Sequence, residues 1–564
     1  MSEQPQARFT PLGRLISILM IAGLIAAGVY MIRGGSGRSS GDGKSGPGGS
    51  TGSSKAPSGP APEVQEAQME VPSLDAAAPY TPKDNTLEIE ISEYAGYAGL
   101  IAANGGLDAS ENSLFFKNHG FKVKLSVSEE ESWGKLNSGK IAAGTTTADV
   151  VAVYGRQFQI TVPAQIGYSR GADGLVVRNE IKKINDLKGK IIATGQFTEV
   201  DFFLRYLAQE AGLEVNMLGS LDATPASDRV NVVYTEEGFA AGDLFLDDVK
   251  SGRNKLAGCV TWEPKVSEVV RQAGGVAHVL TSNRNLLVIA DILVVNKGFA
   301  QANPQMVAGL VQGLLEGNKM VRDNQDANVD VVAKAFKWTR EQARGELLKV
   351  HLSNLPENLA FFSGAIDAAG SFGGIYQSAA LAYGSDLVKD PPDPSRFVDL
   401  KALEGLQKAG LFKDQKIAIA PIRTGGSGGS TVETNPLLSK DIRFMFEPNS
   451  ADLDMQNQAN MTNLESIKKL LQVSPGSTVL LRGHVDNALV EEFRRRGGEG
   501  YVRQQALRAI ELSRKRAAEI KRLLVEKYNV APDRLDVVGR GWEEPAGSDS
   551  DKNRRVEVQW FTIE

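Results

Sequence analysis

The stretch Asp186-Leu-Lys-Gly-Lys-Ile-Ile-Ala-Thr-Gly195 decides how the middle of the chain folds. Residues 190–193 form a short apolar run with Gly195 close behind, which predicts a buried strand ending in a turn. Past Gln196-Phe197-Thr198, residues 201–211 space their apolar positions as an amphipathic helix, starting near Glu199. Working outward, residues 87–91, 150–153, 174–177 and 292–295 read as further strands, and 303–321 as a second amphipathic helix. This alternation predicts α/β architecture with mostly parallel sheets. Roughly 335 residues of it, spanning 85–422, predicts two lobes rather than one core.

The whole chain has 564 residues, too many for one domain, with 42% hydrophobic and 23% charged residues, the balance of folded, soluble matter. A net charge of −5 gives no overall basic field and excludes a nucleic-acid partner on that ground. Arginine and lysine concentrate in residues 494–522. The single cysteine, Cys259, cannot form an intrachain disulfide or a cysteine zinc site and reads as a small buried hydrophobe. The four histidines, His119, His278, His351 and His484, fall in no metal-binding pattern, and no nucleophile–base pair stands out. The chain therefore reads as a non-enzyme with no cofactor and no metal.

Residues 15–32 carry no charge and lie between Arg14 and Arg33. That is near the minimum for a transmembrane helix and long for a signal-peptide core. The run ends in Val29-Tyr30-Met31-Ile32 with no small-residue cleavage site, so an uncleaved signal anchor is expected, with a cleaved signal peptide as the alternative. Residues 1–14 would be cytoplasmic. Residues 33–84 are rich in Gly, Ser and Pro and read as a tether of about 50 residues, with a mean reach on the order of 40 Å. A second linker, 423–436, contains Thr424-Gly-Gly-Ser-Gly-Gly-Ser430 and sets off a small domain at 437–564.

In the large domain, the end of strand 190–193 offers free backbone N–H groups and the positive end of the following helix, suited to an anion. Gly195 permits close approach, and Thr194 and Thr198 supply hydroxyls; Thr198 could equally be an N-cap. Glu199 and Asp201 stand at the same helix end and oppose an anion if they face inward, which leaves a cationic or amine-bearing ligand open.

The ordered appearance of Asp186–Gly195, Thr261-Trp-Glu-Pro264 and Leu293-Val-Val-Asn-Lys-Gly-Phe-Ala-Gln-Ala-Asn-Pro304 resembles the periplasmic solute-binding proteins of ABC importers, in the sulfonate, nitrate and thiamine-precursor branch. The resemblance implies a two-lobed clamp with strand-end loops facing a cleft. Tyr97, after the first strand, Thr145 and Thr146, ahead of the next, and Trp262 and Asp291 join Thr194, Gly195 and Thr198 as candidate ligand contacts.

In the small domain, residues 478–482, 535–538 and 555–561 read as strands, and Ala506, Ile510, Ser513, Ala517, Ile520, Leu524 and Tyr528 make one helical face of small and apolar residues. Ser513 and Ala517 would let that helix approach a sheet closely. The segments beginning Ile442-Arg-Phe-Met-Phe-Glu, Val479-Leu-Leu-Arg-Gly-His-Val-Asp486, Leu512-Ser-Arg-Lys-Arg-Ala517, Val538-Gly-Arg-Gly-Trp542 and Asn553-Arg-Arg-Val-Glu557 resemble, in that order, the α+β OmpA-like peptidoglycan-binding domain. The resemblance implies that Asp486 receives the amine of a stem peptide and Arg516 its carboxylate, with Asn553, Arg554 and Arg555 shaping the pocket. Leu489 stands where that family usually has Gly, and residues 488–505 contain an insertion.

Together these readings describe a single-pass inner-membrane protein with its folded domains in the periplasm. It would hold peptidoglycan at one end and a small solute, anionic on the simplest reading, in a clamp that serves transport or sensing. An ABC permease or another inner-membrane protein would be its partner. The alternative is a structural scaffold whose middle domain is a spacer or docking module without ligand. A relative of motor stators fits less well, because the apolar run has no Asp or Glu to carry protons.

Overall fold

The computed structural model describes residues 63–128, 132–364, 370–419, 436–447, 450–474 and 476–561. The anchor expected at 15–32 and the glycine-rich part of the tether lie outside the described residues. Within the described residues no helix is long and apolar enough to cross a membrane.

Two six-stranded sheets and one four-stranded sheet organise the described residues. The first sheet runs in the order Val350–Leu352, Ile160–Ser169, Ala290–Asn296, Ala143–Thr147, Thr86–Ile91, Lys122–Val127. The second runs Ala277–Ser282, Asp173–Arg178, Leu256–Trp262, Ile191–Gly195, Val230–Thr235, Val215–Met217. Each is parallel on one side and antiparallel on the other, not mostly parallel as the alternating pattern predicts. The cause is the pair of crossings between lobes, one after Ser169 and one after Ser282, whose strands enter each sheet against its parallel half. Asn283, fully buried, ties the crossings together: its Oδ1 accepts from Gly171 N (2.7 Å) and Asp173 N (3.2 Å), and its Nδ2 donates to Asp173 Oδ2 (2.7 Å).

Residues 150–153, read as a strand, belong to the helix Ala148–Tyr154, and the strand is the preceding Ala143–Thr147. Every residue of that helix is buried, so it shows no amphipathic period to distinguish it from a buried strand. Cys259 is fully buried within Leu256–Trp262.

Residues 63–80, assigned to the tether on composition, lie against both lobes. Gln65 N donates to Tyr234 O (2.8 Å), Gln68 and Gln196 exchange two hydrogen bonds (2.8 Å each), Gln157 holds Pro72 O and Leu74 N, and Asn296 holds Ala78 O and Tyr80 N. These amide side chains satisfy a backbone that has no ladder of its own.

The four-stranded sheet has the order Leu438–Ile442, Val556–Phe561, Thr478–Gly483, Leu535–Gly539. The helix Val490–Tyr528 covers it through buried Ser513, Ala517, Ile520 and Leu524. The approach is close: a Cβ on Gly483 would lie 2.0 Å from Ser513 O. The insertion at 488–505 forms the first part of this helix, with a break at Gly497 and Gly498, the latter at φ 62°. The small domain rests on the second lobe and on a crossing: Asn185 and Ser439 exchange hydrogen bonds (2.8 and 2.9 Å), and Leu287 N donates to Val473 O (2.6 Å).

Candidate functional site

Two cavities collect most of the candidate residues. The first, of about 560 Å³, opens between the lobes. Antiparallel pairing explains its floor, because it sets the start of one strand beside the end of another. In the first lobe Asp291, the second residue of Ala290–Asn296, lies opposite Thr147, the last residue of Ala143–Thr147. In the second, Asp173 opens its strand opposite Trp262. Each lobe thereby places one buried carboxylate at the cleft, Asp291 at 2% and Asp173 at 3% exposure.

Of the eight residues expected to contact ligand, Tyr97, Thr145, Thr146, Thr198, Trp262 and Asp291 line this cavity. Thr194 and Gly195 do not. Thr194 is buried beneath it, and Gly195 is needed for chain packing, since a Cβ there would lie 2.9 Å from Gly238 N. Trp262 has a structural share as well, lying over Gly238 and against Phe239 (4.7 Å between centroids).

The helix Glu199–Glu210 begins where expected, but its positive end is already answered. Asp201 Oδ2 accepts from Phe197 N (3.1 Å), while Thr198 Oγ1 turns back to donate to Gly195 O (2.8 Å) and caps nothing. Phe197, at φ 63°, holds the turn in the left-handed region. At this end, then, the chain's own Asp201 carboxylate is drawn to the turn that precedes the helix.

The cavity's other charges have the same sign. Glu199, Glu236 and Glu237 line it from the second lobe, and Glu90 from the first. Below the floor Asp149 is fully buried; desolvation, with Asp173 and Asp201 nearby, pushes its carboxyl up to about 7. Burial likewise raises Asp173 to about 6 and Asp291 well above the usual carboxylate range, with Asp173 adding to the latter. Sequence reasoning missed Asp149, Asp173, Tyr94 and the Glu236–Glu237 pair. An acid standing directly before the apolar run 174–177 was the available signal for Asp173.

The second cavity, of about 670 Å³, lies in the small domain. Asp486, Arg516, Arg554 and Arg555 line it, joined by Arg443 and Arg508. Asp486 caps the turn after its strand by accepting from Ala488 N (3.0 Å), and Arg554 approaches it at 3.4 Å. Arg516 donates to Ser450 O (3.1 Å) and stacks over Phe446 (4.9 Å). Burial and the neighbouring Arg554 lower its pKa, with Asp486 opposing. Asn553 is buried behind the pocket, where its Oδ1 accepts from Ala546 N (2.7 Å) and its Nδ2 donates to Gly547 O (3.0 Å). Arg555 is held by Asp441 (2.9 Å) and Glu544 O. The insertion supplies a wall: Leu489 and Phe493 line the cavity, and Phe493 packs on Trp542 (6.0 Å).

Residues 445–559 match the OmpA family. Outer membrane protein Omp38 of Acinetobacter baumannii is 25% identical over 145 residues, covering 25% of this chain and 36% of that protein. The chain thus spans about a third of the length of the curated relatives it matches. The OmpA-family region contains Asp486, Arg516 and Asn553-Arg-Arg555. Among solved structures, the periplasmic aliphatic sulphonate binding protein SsuA from Escherichia coli is similar over 56% of this chain and 97% of its own, at 17% identity and TM-score 0.42. The alkanesulfonate-binding protein from Xanthomonas axonopodis pv. citri, bound to MOPS, is similar over 57% and 100%, at 14% and 0.42. The periplasmic nitrate-binding protein NrtA from Synechocystis is similar over 56% and 93%, at 15% and 0.36. The two-lobed arrangement itself is read from the sheets and crossings described above.

Proposed function

We propose that this chain is a cell-envelope protein that holds peptidoglycan through its OmpA-family region and binds a small solute between the lobes of its middle domain. The observation that carries the reading is the arginine-lined pocket in which Asp486 stands among Arg516 and Arg554, inside the stretch that matches the OmpA family. A stem peptide presents an amine and carboxylates together. One aspartate beside several guanidinium groups answers both, since arginine grips carboxylates bidentately. Asn553 acts one step removed, by tying the chain just before Arg554 to the backbone of Ala546 and Gly547, and Arg555 adds a further guanidinium to the lining.

In the middle domain Tyr97, Thr145, Thr146, Thr198, Trp262 and Asp291 contact the solute, and Thr194 and Gly195 support them. The apolar run 15–32 anchors the chain in the inner membrane, and a permease or another inner-membrane protein receives the solute or senses closure of the lobes. An open cleft lined by polar side chains weighs against a spacer without ligand.

Sedimentation of the purified chain with isolated peptidoglycan tests the wall-binding part. The parent is expected to pellet with the wall, and Asp486→Ala and Arg516→Ala to stay in the supernatant while unfolding at the parent's temperature. A parent that does not pellet removes the wall-binding role.

A further inference from the structure

We infer that the solute held between the lobes is an organic cation, an amine or quaternary ammonium, and not an anion. The inference rests on the reading of the middle domain as a solute clamp.

Charge is the first observation. Among the described residues lining the cleft there is no Lys, Arg or His, while Glu90, Asp173, Glu199, Glu236, Glu237 and Asp291 all line it. Glu90 is partly answered from outside the lining by Lys135 at 3.6 Å. Arg205, in the second lobe, is committed to Asp201 (2.9 Å), Tyr234 (2.6 Å) and the face of Tyr383 (4.9 Å). A sulfonate or nitrate placed here would meet acids and no cation, and such juxtaposition opposes binding strongly at low dielectric.

Unmet hydrogen-bonding capacity is the second. Asp291 Oδ2 and the Thr146 hydroxyl, in residues 2% and 5% exposed, have no hydrogen-bond partner. Asp291 Oδ1 receives a long bond from Tyr97 (3.4 Å), and the Tyr94 hydroxyl also acts on this carboxyl. Buried polar atoms are ordinarily satisfied, so an orphaned carboxylate oxygen and hydroxyl at a cavity wall mark where a ligand donor belongs.

Shape and aromatic lining choose the kind of cation. Tyr94 and Tyr97 meet edge to face (5.3 Å), Trp262 lines the same cavity, and such rings stabilise a desolvated cation through their faces. A bare metal ion fits poorly. Among the described residues, the group whose possible metal ligands lie within 4.8 Å of one another is His484, Glu544 and Glu557, in the small domain, and Arg482 bridges those two glutamates there. The cleft carboxylates are spread over both lobes instead, as an extended cation requires. The volume of about 560 Å³ is that of an ordinary small-molecule site.

The test is thermal unfolding and calorimetric titration of the purified chain with choline, putrescine, ethanesulfonate and N-acetylglucosamine, for the parent and for Asp291→Asn and Asp173→Asn. Choline or putrescine is expected to raise the unfolding temperature and to bind about tenfold or more weakly to each variant, through loss of the ion pair for choline and of a charge-assisted hydrogen bond for putrescine. Both variants are expected to unfold no lower than the parent without probe, because each removes a buried charge; if one fails to fold, the other carries the comparison. Stabilisation by ethanesulfonate or N-acetylglucosamine but by neither cation overturns the inference and leaves the clamp standing. No response to any of the four overturns both. Cation binding unchanged in both variants overturns the site.

Discussion

In the middle domain, Asp149, Asp173 and Asp291 are buried with burial pushing all three carboxyls upward; in the small domain, Glu557, also largely buried, is pulled down to about 2. The difference lies in their partners. Burial would raise Glu557 too, but nearby His484 (3.6 Å), a hydrogen bond from Gln559 (2.9 Å) and the charge of Arg482 outweigh it. The three aspartates have hydroxyls, an asparagine and one another, and among the described residues no ion pair with a guanidinium. A buried acid with its cation built in is part of the scaffold, whereas buried acids without one are completed by something that arrives.

The sharpest way to break that distinction is to neutralise the scaffold acid. Glu557 is depressed from an ordinary value of 4.5 to about 2. At about 1.4 kcal/mol per pK unit this corresponds to on the order of 3 kcal/mol of folding stability. The contribution is fully present above pH 4.5 and is lost as pH falls through about 2. Glu557→Gln is expected to lower the unfolding temperature of the small domain markedly at pH 7, with the gap from the parent closing near pH 2. A variant that unfolds with the parent at pH 7 would put Glu557 in the same class as the cleft acids.

The cleft acids give the opposite sign. Asp149, facing Asp173 and Asp201, titrates at about 7, and Asp173, facing Glu263, at about 6; both values are raised, so the ligand-free domain gains stability as pH falls through them. A bound cation favours the ionised forms and is taken up with release of protons. Choline, whose charge does not change with pH, is therefore expected to bind about tenfold more weakly at pH 5 than at pH 8, following roughly one pK unit of coupling. Affinity that is flat over this range would mean that the floor carboxylates do not sense the ligand.

Much of the fold was legible because burial leaves a local trace. The strands at 174–177, 190–193 and 292–295 are short apolar runs closed by turns, and all three are strands in the structure. Residues 150–153 misled for the same reason, since a helix buried on every side is also an unbroken apolar run. The mixed sheets were illegible because direction is set by the crossings, which no window of residues reveals. At the cleft, hydroxyl and aromatic residues at strand ends were readable one by one. The acids were not: Asp149 and Asp173 look like ordinary surface charges until antiparallel pairing puts them on a buried floor. In the small domain the ordered segments located Asp486 and Arg516, whereas Arg443, Arg508 and Phe493 reach the pocket from elements that only the tertiary fold brings there.

The smallest expected effect concerns access to the cleft. Gln65, Glu66, Gln68 and Pro72 line the cavity, and the segment 63–80 is hydrogen-bonded to Tyr234 and Gln196 in one lobe and to Gln157, Asn137 and Asn296 in the other. A strip fastened to both lobes across the mouth must yield if a ligand is to enter without the lobes parting. The reciprocal amide pair of Gln68 and Gln196 is its attachment to the second lobe nearest the helix Glu199–Glu210. Gln196→Ala removes both bonds, and a net loss of about 1 kcal/mol corresponds to roughly fivefold easier release of the strip. Trp133 and Trp262 line the same cavity and report occupancy by fluorescence. Choline is expected to associate about fivefold faster with Gln196→Ala in stopped-flow mixing, since an easier release acts on entry. An unchanged association rate would show that solute enters by separation of the lobes, with the strip carried along as part of one of them.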